Sequence, residues 1–125
     1  MPVRYERDDA RRRIVTTVDG PFWTAEILAV INRQRGEGAW GYGMLYDLRG
    51  MTGKPTLADL LEVMDEAISP RPGQGPRGPV ALLASDPALY DIACKYAALG
   101  HSTFMIRVFS DFESAEAWLA AETRT

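Results

Sequence analysis

The stretch Pro79-Val80-Ala81-Leu82-Leu83-Ala84-Ser85-Asp86-Pro87 decides the fold class. Val80 to Ala84 is apolar without interruption, so this strand needs cover on both faces, as central strands of parallel sheets do. Asp86 followed by Pro87 then opens a helix. The carboxylate caps free N–H groups, and proline suits the first turn, where its missing N–H costs nothing. Leu89, Ile92, Ala93, Tyr96, Ala97 and Leu99 form the inner side of that helix, and Gly100 ends it. A buried strand running straight into an amphipathic helix is half of a β-α-β unit.

The pattern repeats in both directions. Downstream, a strand from Thr103 to Phe109 leads into a helix that buries Phe112, Ala115, Trp118 and Leu119, with Ser110 and Glu113 spaced as a capping box. Upstream, the proline- and glycine-rich segment 69–79 is a long loop. Before it, Thr56 begins a helix whose apolar stripe is Leu57, Leu60, Leu61, Met64 and Ile68. A strand from Tyr42 to Leu48 precedes that helix. Earlier still, a helix capped by Thr24 buries Ile27, Leu28, Val30 and Ile31, and Gly36 and Gly38 stop it. Val3–Arg7 and Arg12–Val18 read as a hairpin, rich in alternating and β-branched residues. The expected architecture is α/β: one domain over residues 1–125, in the order β-β-α-β-α-β-α-β-α. Its five-stranded sheet is mostly parallel, with an antiparallel first strand.

Composition narrows the function classes. The 125 residues carry a net charge of −3, 46% of them hydrophobic and 25% charged, which is ordinary for a globular domain. An acidic chain lacks the basic face that nucleic acid requires. The single cysteine cannot form an internal disulfide, which fits a reducing compartment. The Met1–Arg7 segment has no apolar core of a secretory signal. No apolar run nears the ~18 residues of a membrane span. A cytoplasmic protein of bacterial type is the expectation.

In parallel sheets ligands and partners meet the loops at the carboxyl ends of strands. Here these are Gly20–Trp23, Arg49–Pro55, Ser85-Asp86 and Ser110-Asp111. Nucleophilic catalysis needs a base beside the nucleophile. The single histidine, His101, falls in a turn at the opposite edge, and Cys94 sits mid-helix near the buried stripe, so no triad assembles. With one His and one Cys a metal site would need carboxylates alone, and none is expected; nor is a cofactor. Gly50-Met51-Thr52-Gly53-Lys54-Pro55-Thr56 superficially resembles a phosphate loop. Only two residues separate its glycines, however, and Pro55 follows the lysine. Lys54 beside a helix start can still hold an anion, or the segment is simply a turn and a cap. Asp47 is expected to pair with a backbone group or with a cation such as Arg49. Trp23, Phe22 and Met51 read as an exposed partner surface, or Phe22 and Trp23 fold beneath the first helix as a hydrophobic staple. Arg4, Arg7, Arg11, Arg12 and Arg13 read as a solvated, basic sheet edge.

At Leu45-Tyr46-Asp47-Leu48-Arg49-Gly50-Met51-Thr52, a strand ends in Asp-Leu-x-Gly-x-Thr before a helix. This resembles the STAS domain of anti-sigma-factor antagonists, and is similar to its SpoIIAA-like, STAS/SEC14-like branch. The ending Arg107–Leu119 looks like that branch's last strand and helix. The resemblance implies a non-enzymatic regulatory or protein-interaction module, with an interaction edge at Trp23, Asp47, Arg49, Met51, Lys54 and Thr56. In those antagonists a serine in an Asp-Ser-Ser-Gly pattern is phosphorylated. Counting from Asp47, Thr56 falls on it, but Pro55 and Leu57 replace the flanking aspartate and glycine, and Thr56 serves equally as a helix cap. The SEC14-like side implies an alternative, a lipid or small-ligand domain with an apolar pocket lined by Met44, Tyr46, Phe104 and Met105. A protein partner, a small apolar ligand and a homodimer through the edge strand or an apolar helix face all stay open.

Overall fold

The computed structural model describes residues 3–123; Met1, Pro2, Arg124 and Thr125 lie outside them. Five strands and four helices alternate as the sequence predicts: β1 (Val3–Asp8), β2 (Arg13–Gly20), α1 (Thr24–Gly36), β3 (Gly43–Met51), α2 (Leu57–Ile68), β4 (Val80–Leu83), α3 (Pro87–Gly100), β5 (Ile106–Phe109) and α4 (Phe112–Glu122). The sheet order is β1-β2-β3-β4-β5, with β1 antiparallel to β2 and every other pair parallel. Each parallel crossover therefore steps to the adjacent strand in one direction. Right-handed crossovers of that kind put their helices on one face. α1, α2 and α3 pack side by side there, while α4, which no further strand follows, covers β3 to β5 from the other side.

Two cores result. Ile14, Val18, Met44, Tyr46, Val80 and Leu82 point from the sheet toward Ile27, Ile31, Val63, Met64 and Ala93 of the three helices. Leu45, Ala81, Leu83 and Phe109 point the other way, onto Ala115 and Leu119. Residues 80–84 are buried throughout, as an uninterrupted apolar strand requires. Glu116, midway along α4, holds that helix against the hairpin by pairing with Arg11 and Arg13. Arg13 is thus fully buried, not part of a solvated edge, and Arg7 is tied to Asp9 and Glu37.

Several local expectations change. The first turn of α1 starts at Thr24, whose hydroxyl donates to Asp59 Oδ1 of α2 (3.1 Å) instead of capping its own helix. α4 is capped by Asp111, which accepts from Ser114 N at 2.9 Å, one residue later than the Ser110 reading. On α2 the buried stripe is Leu60, Val63, Met64 and Ala67. Leu57, Leu61 and Ile68 face outward, as do Leu99 and Phe112, because each helix carries an apolar arc wider than its contact with the sheet. Cys94 is exposed on α3, not a core residue.

Candidate functional site

β3 runs three residues farther than its hydrophobic pattern suggests, so Arg49, Gly50 and Met51 belong to a strand and the loop shrinks to 52–56. Thr17 pairs with Asp47 but Asp19 pairs with Gly50, so two residues of β3, Leu48 and Arg49, oppose Val18 alone. That bulge breaks the in–out alternation. Met44, Tyr46 and Leu48 face the three-helix side, and beyond the bulge Met51 does too. A side chain at Gly50 would displace the Asp19 carboxylate and press on the Val18 carbonyl at 3.2 Å. Thr52 N–H donates to the Gly20 carbonyl (2.8 Å), tying the loop after β3 to the end of β2.

The strand ends and the first turns of α1, α2 and α3 enclose an apolar socket of 70 Å³, open at the carboxyl edge of the sheet. Its floor is Tyr46, Leu48 and Leu82. Its walls are Ile27 from α1, Leu60 and Val63 from α2, and Leu89, Ile92, Ala93 and Tyr96 from α3. Phe22, Met51 and Pro55 frame the mouth. The helix-capping groups around it are committed to their own helices. Thr56 Oγ1 accepts from Asp59 N (3.1 Å) and Asp59 Oδ2 accepts from Thr56 N (2.8 Å), a complete capping box. Asp86 accepts from Leu89 N at 3.0 Å. Those bonds to N–H groups hold Asp59 below the usual carboxylate range. Burial raises Tyr46 and Tyr96, keeping both phenols neutral.

The six predicted edge residues separate. Met51 frames the socket, and Lys54 and Thr56 are exposed beside Pro55. Phe22 and Trp23 divide the two readings between them: Phe22 turns into the mouth, while Trp23 stays 58% exposed. Asp47 and Arg49 lie on the opposite, α4, side of the sheet. Asp47 accepts from Arg49 Nε and Nη2 (both 2.9 Å) and from Arg49 N, and the guanidinium packs over Phe112. That bidentate pair holds Asp47 below its usual range. Of the pocket residues expected for a ligand, Tyr46 alone contributes. Met44 is sealed in the core, Phe104 stands at the far edge, and Met105 is exposed. Sequence reading puts Ala93 on the inner side of α3 and Pro55 in the edge loop but assigns neither to a pocket; Ala93, whose small side chain leaves the space, has no signature beyond size.

His101 caps the far end of α3, about 21 Å of helix from Ser85. No cluster of three metal-ligating side chains occurs among the described residues. No helix there is long and apolar enough to cross a membrane. No protein-family model matches the chain, and no curated protein matches it significantly.

Proposed function

We propose that the chain is a non-catalytic, STAS-like interaction module that takes one apolar side chain of a protein partner into the carboxyl-edge socket. The observation that carries this is the socket's size and lining together. Small-molecule sites span roughly 300–1,000 Å³ and include a few polar groups that orient the ligand. A 70 Å³ space with an apolar lining suits a single aliphatic anchor. Its surroundings match the anatomy of a hot spot, where a filled pocket is ringed by contacts that exclude water. Trp23, Leu57 and Leu61 are 58, 63 and 49% exposed near the starts of α1 and α2, which the Thr24–Asp59 bond holds together. Exposed apolar groups gathered in this way mark partner surfaces. The lone cysteine and the acidic composition suit a bacterial cytoplasm.

Peptides selected from a random display library against the chain test this. They should share an aliphatic or aromatic anchor and shift the methyl resonances of Ile27, Leu60 and Ile92. Ala93→Leu, which fills the socket, should abolish their binding, and Trp23→Ser with Leu57→Ser should weaken it. Peptides that bind Ala93→Leu as well as the native chain would refute the socket. An aliphatic molecule retained in native mass spectra and expelled by Ala93→Leu would favour a small-ligand role instead.

A further inference from the structure

The sheet has two outermost strands, and they differ in how well their free sides are guarded. β5 is four residues long, and a very short edge strand offers little to pair with. β1 has six residues and pairs with β2 without a bulge, from Val3 opposite Val18 to Asp8 opposite Arg13. No strand lies beyond it among the described residues. Every second residue of β1 therefore turns its N–H and C=O away from the sheet, as a template for another strand.

The side chains of β1 are unevenly committed. Arg7 is bonded to Asp9, Glu37 and the Tyr42 hydroxyl, and Asp8 accepts from Arg11 N. Tyr5 donates to Glu37 and lies under the Arg33 guanidinium, 4.0 Å from the ring centre. Arg4 and Glu6 are exposed and form no ion pair among the described residues. They stand opposite Thr17 and Val15, so both project on the α4 face. α4 packs there on β3 to β5 and leaves them uncovered. The uncommitted charges of the strand are thus opposite in sign and two residues apart.

We propose that β1 pairs antiparallel with β1 of a second copy of the chain, about a two-fold axis through Tyr5. Opposed residues in such a pair share a face, so the symmetric register must centre on one residue. Centred on Tyr5, Arg4 of each copy opposes Glu6 of the other, and Val3 opposes Arg7. Centred on Arg4, Glu6, Arg7 or Asp8, the axis sets a charge against itself, which is unfavourable. Centred on Val3, it leaves most of β1 unpaired. The charges that disfavour other registers therefore select this one. β1 contributes nothing to the apolar socket, so either reading can fail alone.

Sedimentation velocity over a concentration series of the full chain should show a reversible monomer–dimer equilibrium. Arg4→Glu and Glu6→Arg each convert both cross-strand pairs into repulsions. Each should raise the dissociation constant about tenfold or more, with circular dichroism unchanged because both positions are exposed. An equimolar mixture of the two variants should recover the native affinity, since every cross-strand pair is again opposite in charge. The double variant should recover it alone. A chain that stays monomeric throughout, a dimer indifferent to either single variant, or a mixture no tighter than its components would overturn the proposal.

Discussion

The two edges of this sheet face the same problem and solve it differently. Every helix leaves unpaired N–H groups at its start and unpaired carbonyls at its end. At the carboxyl edge, where α2, α3 and α4 begin, the partners lie within the same turn: Asp59 with Thr56, Asp86 with Leu89 N, and Asp111 with Ser114 N. At the amino edge, the last carbonyls of α2 are met from another helix. Arg35 of α1 reaches across to the Glu66, Ala67 and Ser69 carbonyls, at 2.8, 3.3 and 2.9 Å. Short local caps leave the space between the helices apolar and open. One long cation closes the other edge, and brings with it a crowd of arginines and aromatic rings: Arg35 and Arg77 stack on Trp40, Arg77 also on Phe104, and Arg71 shares Glu66 with Arg35.

The sharpest way to break this comparison is to remove Arg35. Its side chain is 7% exposed, and its loss leaves Glu66 paired with Arg71 alone and strands three carbonyls in a partly dry setting. Hydrogen bonds from a charged donor contribute more than neutral ones, so the loss should be about 3 kcal/mol. Arg35→Met keeps the apolar stem over Trp40, so the loss isolates the charge and its hydrogen bonds. Urea unfolding should show a midpoint shift of that size with an unchanged slope. A loss below ~1 kcal/mol would mean that water replaces the guanidinium, and that the long-range cap is ornamental.

Ala93→Leu sharpens the contrast from the other side. The added carbons enter space that already exists, so stability should change by less than ~1.5 kcal/mol in either direction. Anchor binding should nevertheless vanish. A large destabilisation would show that the socket walls are rigid and closely fitted around Ala93, and that the opening belongs to the packing of α3, not to recognition.

The two edges also differ in how far the sequence reveals them. Strand order, helix order and the capping of α2 and α3 are legible because their signals are local: an apolar run at Val80–Ala84, Thr56 three residues before Asp59, and Asp86 before Pro87. Arg35, Trp40, Arg71, Arg77 and Phe104 come from four separate segments and carry no spacing that links them. The hairpin arginines misled for the same reason. A basic run reads as solvated, yet Glu116, 103 positions away, draws Arg13 into the interior. At the carboxyl edge the candidate region was legible but its facing was not. The bulge at Leu48–Arg49 leaves Asp47 and Arg49 on the α4 side while Met51 turns to the socket. An extra residue in a strand leaves no mark on alternation when Leu48, Gly50 and Met51 are all tolerated on either face.

A smaller effect tests the local caps themselves. Thr56→Val removes the hydroxyl that accepts from Asp59 N but leaves Asp59 able to accept from the backbone of residue 56, so about 1 kcal/mol should be lost.

The smallest effect is one of pH. Asp59 and Asp111 are held below their ordinary range chiefly by bonds from backbone N–H groups. A depressed carboxyl binds fewer protons folded than unfolded, so its contribution is present above the unfolded value near 3.9 and is lost as pH falls through the folded one. Asp59→Asn keeps an acceptor for Thr56 N but cannot titrate. The gap between native and Asp59→Asn urea midpoints should therefore be constant from pH 7 to about 5 and should narrow below about pH 4. A gap that stays constant into acid would show that the carboxylate charge adds nothing to the α2 cap. The carboxyl edge would then be held by hydrogen-bond geometry alone, and the difference between the two edges would be one of distance along the chain, not of charge.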